Sequence, residues 1–136
     1  EDDILLIDPK KVKKNIEKYI NSNYDVLFIG AWIRDNLYSY INKDIIKVNY
    51  ASCTHAYIIK NHYYDTILKN YKDGSELKKN NPLDNRFNID EYMQILQSKD
   101  KWYCFNPILV TQRDGYSDNF YEVRNYETMI SSIPSQ

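Results

Sequence analysis

The predicted sheet is centred on Tyr24-Asp25-Val26-Leu27-Phe28-Ile29-Gly30, a short and almost continuous apolar run. Runs of this kind are typical of a strand that is buried on both faces. Residues 9–21, before it, begin with Pro9 and repeat apolar side chains at helical spacing, with lysines on the other face. With the apolar run Ile4-Leu5-Leu6-Ile7, these segments predict a parallel, right-handed βαβ unit and therefore an α/β fold.

The remaining pattern alternates between strand and helix signals. Four short β-rich runs predict further strands at 45–50, 56–60, 102–105 and 108–111. Two apolar stripes predict helices at 64–71 and 89–96. Three segments have weak or polar patterns and are expected to be irregular: 31–44, 74–88 and 119–136, of which the last is expected to wrap the surface or to be mobile.

Length and charge limit the class of protein. A chain of 136 residues fits one domain. Its 18 Lys and Arg against 19 Asp and Glu give no basic field, which disfavours a nucleic-acid binder. No apolar run approaches the roughly 20 residues needed to cross a bilayer, so we expect a soluble chain, in the cytoplasm or a lumen. Cys53 and Cys104 lack CxxC spacing, so the sequence does not decide between a disulfide and two reduced thiols.

Three carboxylates, Glu1-Asp2-Asp3, directly precede the run 4–7, which is predicted to be a buried strand. Anions beside buried apolar residues are costly unless a cation or strong hydrogen-bond donors neutralise them. Mg²⁺ and Mn²⁺ take oxygen ligands and bridge carboxylates to phosphates. The trio therefore indicates a metal site, and the alternative is an acidic segment exposed to solvent. Because chain ends fray, we also expect further residues upstream of Glu1.

Two further polar clusters adjoin predicted elements. Cys53-Thr54-His55 stands at the entrance to the strand 56–60, where a neutral imidazole either binds a metal or phosphate or is a hydrogen-bonded structural residue. Asp90 lies in a predicted first helical turn, between Asn88 as N-cap and Glu91 as its capping-box partner. Its role is either simple capping or that of a general base at the mouth of a crevice beyond the strand ends.

The segment from Gln112 to Asp118 follows the last predicted strand. Gly115 and Ser117 suit a turn whose backbone N–H groups contact phosphate. An ordinary surface turn has the same composition.

The order of these clusters resembles glycosyltransferase family 25, which includes lipooligosaccharide glycosyltransferases and collagen hydroxylysine galactosyltransferases. The resemblance extends from residue 1 to about residue 120. It rests on five blocks: Glu1-Asp2-Asp3 before an apolar strand, Asp25 to Gly30, Thr54 to Ile59, Ile89 to Met93, and Pro107 to Val110 with Gln112, Ser117 and Asp118.

This resemblance implies a GT-A-like fold, a Rossmann-like mixed sheet with flanking helices and a DxD-type motif. It implies that Glu1 and Asp3 hold Mn²⁺, or Mg²⁺, against the diphosphate of a UDP-sugar. Inversion at the anomeric centre, as the family is understood to perform, needs a base on the acceptor side, and the resemblance points to Asp90. The residues it implies for donor binding are Asp2, Thr54, His55, Gln112, Ser117 and Asp118.

The sequence thus predicts a metal-dependent inverting glycosyltransferase that moves galactose or glucose to a hydroxyl of a glycan or of collagen-like hydroxylysine. Similar proteins carry nucleotide-binding βα units upstream of the DxD-type motif. We therefore expect residues 1–136 to form one domain, the acceptor-side C-terminal part of a GT-A domain. The competing class is a non-catalytic glycan- or protein-binding module of the same origin, for which 14 Tyr supply a suitable surface.

Overall fold

The computed structural model of the chain describes residues 4–34, 37–117 and 122–124. Within those ranges the strands are β1 (Ile4–Leu6), β2 (Val26–Ile33), β3 (Tyr38–Asn42), β4 (Ile45–Val48), β5 (Ala51–Ile59), β6 (Trp102–Phe105), β7 (Val110–Gln112), β8 (Gly115–Ser117) and β9 (Glu122–Arg124). The α-helices are α1 (Pro9–Tyr19), α2 (Tyr64–Asn80), α3 (Ile89–Tyr92) and α4 (Gln94–Gln97). The predicted α/β class is confirmed.

The main sheet has five strands in the order β3-β4-β6-β2-β5. Strands β2 and β6 are parallel, and every other pair of neighbours in this sheet is antiparallel. Val26, Leu27 and Phe28 of β2 are fully buried. The predicted strand at 24–30 therefore exists and lies inside a mixed sheet, one position from its edge strand β5.

The predicted parallel βαβ unit is wrong. β1 pairs antiparallel with β7, with Ile4 opposite Gln112, in a separate two-stranded sheet. The two edges of β2 are occupied by β5 and β6, which leaves no edge of β2 for β1. Nor is β1 the buried strand that was predicted, because Leu5 and Leu6 are 43% and 42% exposed. The burial argument for a cation beside β1 is correspondingly weaker.

The segment 31–44 is also more regular than predicted. β2 continues to Ile33, and β3 forms an antiparallel hairpin with β4. Asn42 closes the turn, because its Oδ1 accepts the backbone N–H groups of Asp44 at 2.8 Å and of Ile45 at 3.1 Å. The alternation of Tyr38 and Tyr40 with polar Ser39 was the local signal for this strand.

Helix α2 does not end before Gly74, as was predicted, but continues to Asn80. Gly74 lies against Tyr92, and a Cβ added at this position would be 2.6 Å from Tyr92 Cδ1. This glycine thus serves the close packing of α2 against α3 rather than a helix end.

Two layers cover the main sheet. α2, α3 and α4 cover one face, where Phe28 and Trp102 pack with Ile67 and Met93. On the other face α1 contributes Ile16 to a cluster with buried residues of the sheet. The β1–β7 pair joins the α1 side through Leu109 and Val110, which contact Val12.

Gly30 brings the β1–β7 pair close to the main sheet. A Cβ at Gly30 would lie 2.2 Å from the carbonyl oxygen of Val110, so only a glycine fits under β7 at this point. Gly30 is also opposite Ala56 of β5. The end of the short β1–β7 sheet and an irregular part of β5 are thereby neighbours.

The predicted turn at 115–117 is wrong, since these residues form β8 and pair antiparallel with β9. β9 lies in the segment that was expected to have weak structure, and the rest of 119–136 lies outside the described residues. Among residues 4–34, 37–117 and 122–124, we find no helix with the length and apolar character needed to span a membrane.

Candidate functional site

Strand β5 contains a bulge at Cys53-Thr54-His55. Gly30 pairs with Ala56 and Trp32 pairs with Ser52, so three residues of β5 lie opposite only one residue of β2. Cys53 has a φ of 48°, in the left-handed region that non-glycine residues rarely adopt. The structure therefore corrects the prediction that His55 stands before the strand. It lies inside β5, in a distortion of the kind that redirects side chains near functional sites.

Asp90 of α3 contacts this bulge directly. Its Oδ2 accepts the backbone N–H of Cys53 at 3.0 Å. Its other oxygen makes no hydrogen bond within the described part of the chain. The half-buried carboxylate therefore supports the backbone at the bulge with one oxygen and keeps the second available.

The predicted capping box is wrong. The Asn88 side chain makes no capping hydrogen bond. The carboxylate of Glu91 instead accepts hydrogen bonds from Tyr50 Oη at 3.1 Å and from Gln94 Nε2 at 3.0 Å. These side-chain donors compete with the local backbone for Glu91, and Tyr50 ties α3 to the segment between β4 and β5.

Gln97 fixes the next helix to the start of β5. Its Oε1 accepts the N–H of Ala51 at 2.6 Å, and its Nε2 donates to the carbonyl of Ala51 at 2.9 Å. Gln97 is fully buried. Sequence reasoning missed this residue, because a glutamine in a polar segment has no local signal for burial.

A cavity of about 460 Å³ lies where these elements meet, and we call it the β5 cavity. It lies between the end of β1, the bulge of β5 and the start of α3. Its lining residues are Ile4, Ile29, Thr54, His55, Ala56, Tyr57 and Ile89.

Several predicted site residues converge on the β5 cavity. Thr54 and His55 line it and are 8% and 4% exposed. Ile89, which precedes Asp90, also lines it, and so does Ile4, which follows the acidic trio. Gln112 lies opposite Ile4 in the β1–β7 pair. The tertiary structure thus brings together segments near residues 4, 55, 89 and 112 that are distant in the chain.

Other predicted site residues are not placed by the structure. Glu1, Asp2, Asp3 and Asp118 lie outside the described residues. For Ser117 the structure describes only a backbone position, opposite Glu122 at the end of β8. Their assigned roles stay predictions.

The described side chains do not by themselves form a metal centre. Between residues 4 and 124, leaving out 35–36 and 118–121, no three or more His, Cys, Asp or Glu side chains are grouped closely enough to hold a metal ion. His55 is the one such side chain that lines the β5 cavity. The carboxylates expected to hold Mn²⁺ or Mg²⁺, Glu1 and Asp3, lie outside these ranges.

A second cavity, of about 470 Å³, lies between α2 and the segment 82–92, and we call it the α2 cavity. Ile89 borders both cavities. Tyr57 lines the β5 cavity and Tyr71 lines the α2 cavity. Their two hydroxyl groups form a hydrogen bond of 2.9 Å between the cavities. Burial, and then this hydrogen bond, raise the pKa of Tyr71 well above its ordinary value, which keeps its hydroxyl neutral.

Comparison of the chain with models of known protein families, with characterised proteins and with solved structures found no match in any of the three.

Proposed function

We propose that the chain is part of a metal-dependent inverting glycosyltransferase with a GT-A-like fold, which moves galactose or glucose from a UDP-sugar to an acceptor hydroxyl. The acceptor is a glycan or a collagen-like hydroxylysine. The proposal rests on the sequence resemblance to family 25 together with one structural observation. Segments that the resemblance assigns to donor and acceptor recognition border one cavity: Ile4 next to the acidic trio, Thr54 and His55 in β5, and Ile89 next to Asp90.

Asp90 has a geometry that suits a general base. One carboxylate oxygen is held by the N–H of Cys53, which fixes the side chain in one orientation. Asp90 itself does not line the β5 cavity, but the preceding residue Ile89 does, and in the proposed reaction the other oxygen takes a proton from an acceptor hydroxyl bound there. A held carboxylate of this kind positions the nucleophile without a change in its own conformation.

The donor side of the proposed reaction depends on residues of β5 that line the same cavity. Thr54 and His55 supply a hydroxyl and an imidazole at its wall, and both groups form hydrogen bonds to phosphate or sugar oxygens. When bound by Glu1 and Asp3, Mn²⁺ or Mg²⁺ would neutralise the charge that develops on the departing diphosphate.

The second candidate is a non-catalytic glycan- or protein-binding module. One observation favours it: the contact between Asp90 and Cys53 is sufficient to explain an aspartate at this position as a structural residue of the bulge. The two candidates differ in what they require of Asp90, since only the transferase needs its negative charge.

The first experiment is a calorimetric titration of UDP in the presence and absence of Mn²⁺. It uses the 136-residue chain and, in parallel, a longer polypeptide that extends it upstream. Binding of UDP that requires Mn²⁺, in either protein, supports the transferase. No binding in either protein would favour the module.

The second experiment compares two isosteric variants in an assay of UDP release from UDP-galactose or UDP-glucose. We expect Asp90→Asn to lower transfer by about 100-fold or more, the usual contribution of a general base, and to leave the affinity for UDP nearly unchanged. Glu91→Gln is the matched control, because this neighbouring carboxylate accepts hydrogen bonds from Tyr50 and Gln94 and has no role in the proposed reaction. Loss of UDP affinity in Asp90→Asn would remove Asp90 from the role of base.

A further inference from the structure

The α2 cavity has an apolar interior formed by aromatic side chains. Phe87 and Tyr92 line it, and their rings pack edge to face with centroids 6.1 Å apart. Ile89 and Tyr71 add further apolar surface. The ring of Tyr92 packs directly against Gly74, which also lines the cavity. A volume of about 470 Å³ is within the range of pockets that hold small organic molecules.

Two positively charged side chains lie at the border of the same cavity. Lys78 and Lys79 both line it. Lys78 donates to the backbone carbonyl of Asp84 at 3.2 Å, which holds its ammonium group at the border. Lys79 is exposed and makes no ion pair within the described ranges of the chain. Of the two aspartates near this border, Asp84 is neutralised by Arg86 at 2.6 Å and Asp73 by Lys69 at 2.5 Å.

We propose that the α2 cavity binds a small aromatic anion. The ring lies against Phe87, Tyr92 and Ile89, and the anionic group lies at Lys78 and Lys79. This site is separate from the proposed transfer reaction, because the residues assigned to donor and base do not line it. The proposal therefore stands or fails independently of the proposed function.

The probe for the test is indole-3-acetate, which has an apolar ring, a ring N–H and a carboxylate. It is titrated into ¹⁵N-labelled protein, and the backbone amide shifts in a ¹H–¹⁵N spectrum give both the site and the Kd. We expect the shifts to be confined to residues around the cavity, among them Gly74, Ser75 and Asn88. A matched compound, the neutral indole-3-acetamide, should bind several-fold more weakly than the probe.

Two variants locate the site. Ser75→Trp places a large side chain on an exposed position of α2 that lines the cavity, and we expect it to weaken binding by at least about tenfold. Glu76→Trp, on the next exposed position outside the cavity, is its control and should bind as the unaltered protein does. Lys79→Gln should weaken binding about threefold, as expected for one exposed charge pair, and Lys72→Gln should have no effect.

The outcomes separate clearly. The proposal is overturned if the probe causes no shifts at millimolar concentration, if the shifts lie elsewhere, or if Ser75→Trp binds as tightly as Glu76→Trp. It is also overturned if the neutral amide binds as tightly as the probe. Unchanged urea midpoints in the two tryptophan variants show that a loss of binding does not come from unfolding.

Discussion

The carboxylate of Asp90 accepts the backbone N–H of Cys53 at 3.0 Å, a contact between residues 37 positions apart in the chain. It joins the first turn of α3 to the one described non-glycine residue with a positive φ. The bulge in β5 therefore has a specific partner on the helical layer, and the β5 cavity lies beside this contact. Stability and the proposed chemistry both depend on the same side chain.

Replacement of Asp90 should separate these two roles. Asp90→Ala removes the carboxylate oxygen that accepts the half-buried N–H of Cys53, and we expect a loss of about 2 kcal/mol in the free energy of unfolding. Asp90→Asn keeps an acceptor oxygen and should lose less than about 1 kcal/mol. Urea unfolding measures both values. Equal losses in the two variants would contradict a role for this hydrogen bond.

The left-handed backbone of Cys53 gives a second prediction. Cys53→Gly and Cys53→Ala both remove the thiol, so their difference in stability reports the backbone alone. In a regular strand alanine is the more stable of the two, but at a φ of 48° we expect glycine to be more stable by about 1 kcal/mol. A thermal unfolding comparison in which alanine is the more stable would argue against the observed conformation.

Gly30 gives a third prediction, because β7 lies directly over it. Gly30→Ala would place a Cβ 2.2 Å from the carbonyl oxygen of Val110. Backbone cannot move aside as a flexible side chain does, and we expect a destabilisation of about 3 kcal/mol in urea unfolding. Gly115→Ala is the control, since its Cβ would meet no atom within 4 Å. It should change stability by less than about 0.5 kcal/mol.

Alkaline pH should destabilise the folded chain, because buried thiol and phenol groups keep their protons to a higher pH in the folded chain than in the unfolded chain. Burial raises the pKa of the Cys104 thiol above its ordinary 9.0 and that of the Tyr71 phenol above its ordinary 10.0. Their contribution to stability is complete below those ordinary values. It is lost as pH rises above them, because the unfolded chain releases protons that the folded chain retains.

The measurement for this prediction is the urea midpoint at about pH 8 and at about pH 10.5, which should fall with rising pH. Tyr71→Phe removes one of the buried acids, so its midpoint should fall less between these values. The exposed Tyr64 supplies the control variant, Tyr64→Phe, which should follow the unaltered protein. An identical pH dependence in all three proteins would exclude Tyr71 as a contributor.

Local pattern was sufficient for some elements and misleading for others. The helix after Pro9 and the buried strand around Phe28 were predicted correctly, because their apolar spacing is unambiguous. The predicted helix end before Gly74 is wrong, because the role of this glycine depends on its contact with Tyr92, which is distant in sequence. The capping box failed for the same reason, since Tyr50 supplies the hydrogen bond that occupies Glu91.

The sequence by itself determined the α/β class, most of the strands and helices, and a short list of polar residues that are candidates for catalysis or binding. Those features depend on side-chain periodicity and turn propensity, which are local properties of the chain. The tertiary structure decided that β1 pairs with β7, that β5 carries a bulge held by Asp90, and that Ile4, His55 and Ile89 border one cavity. These results depend on which strand edges are already occupied and on close contacts between distant residues, and no local pattern contains that information.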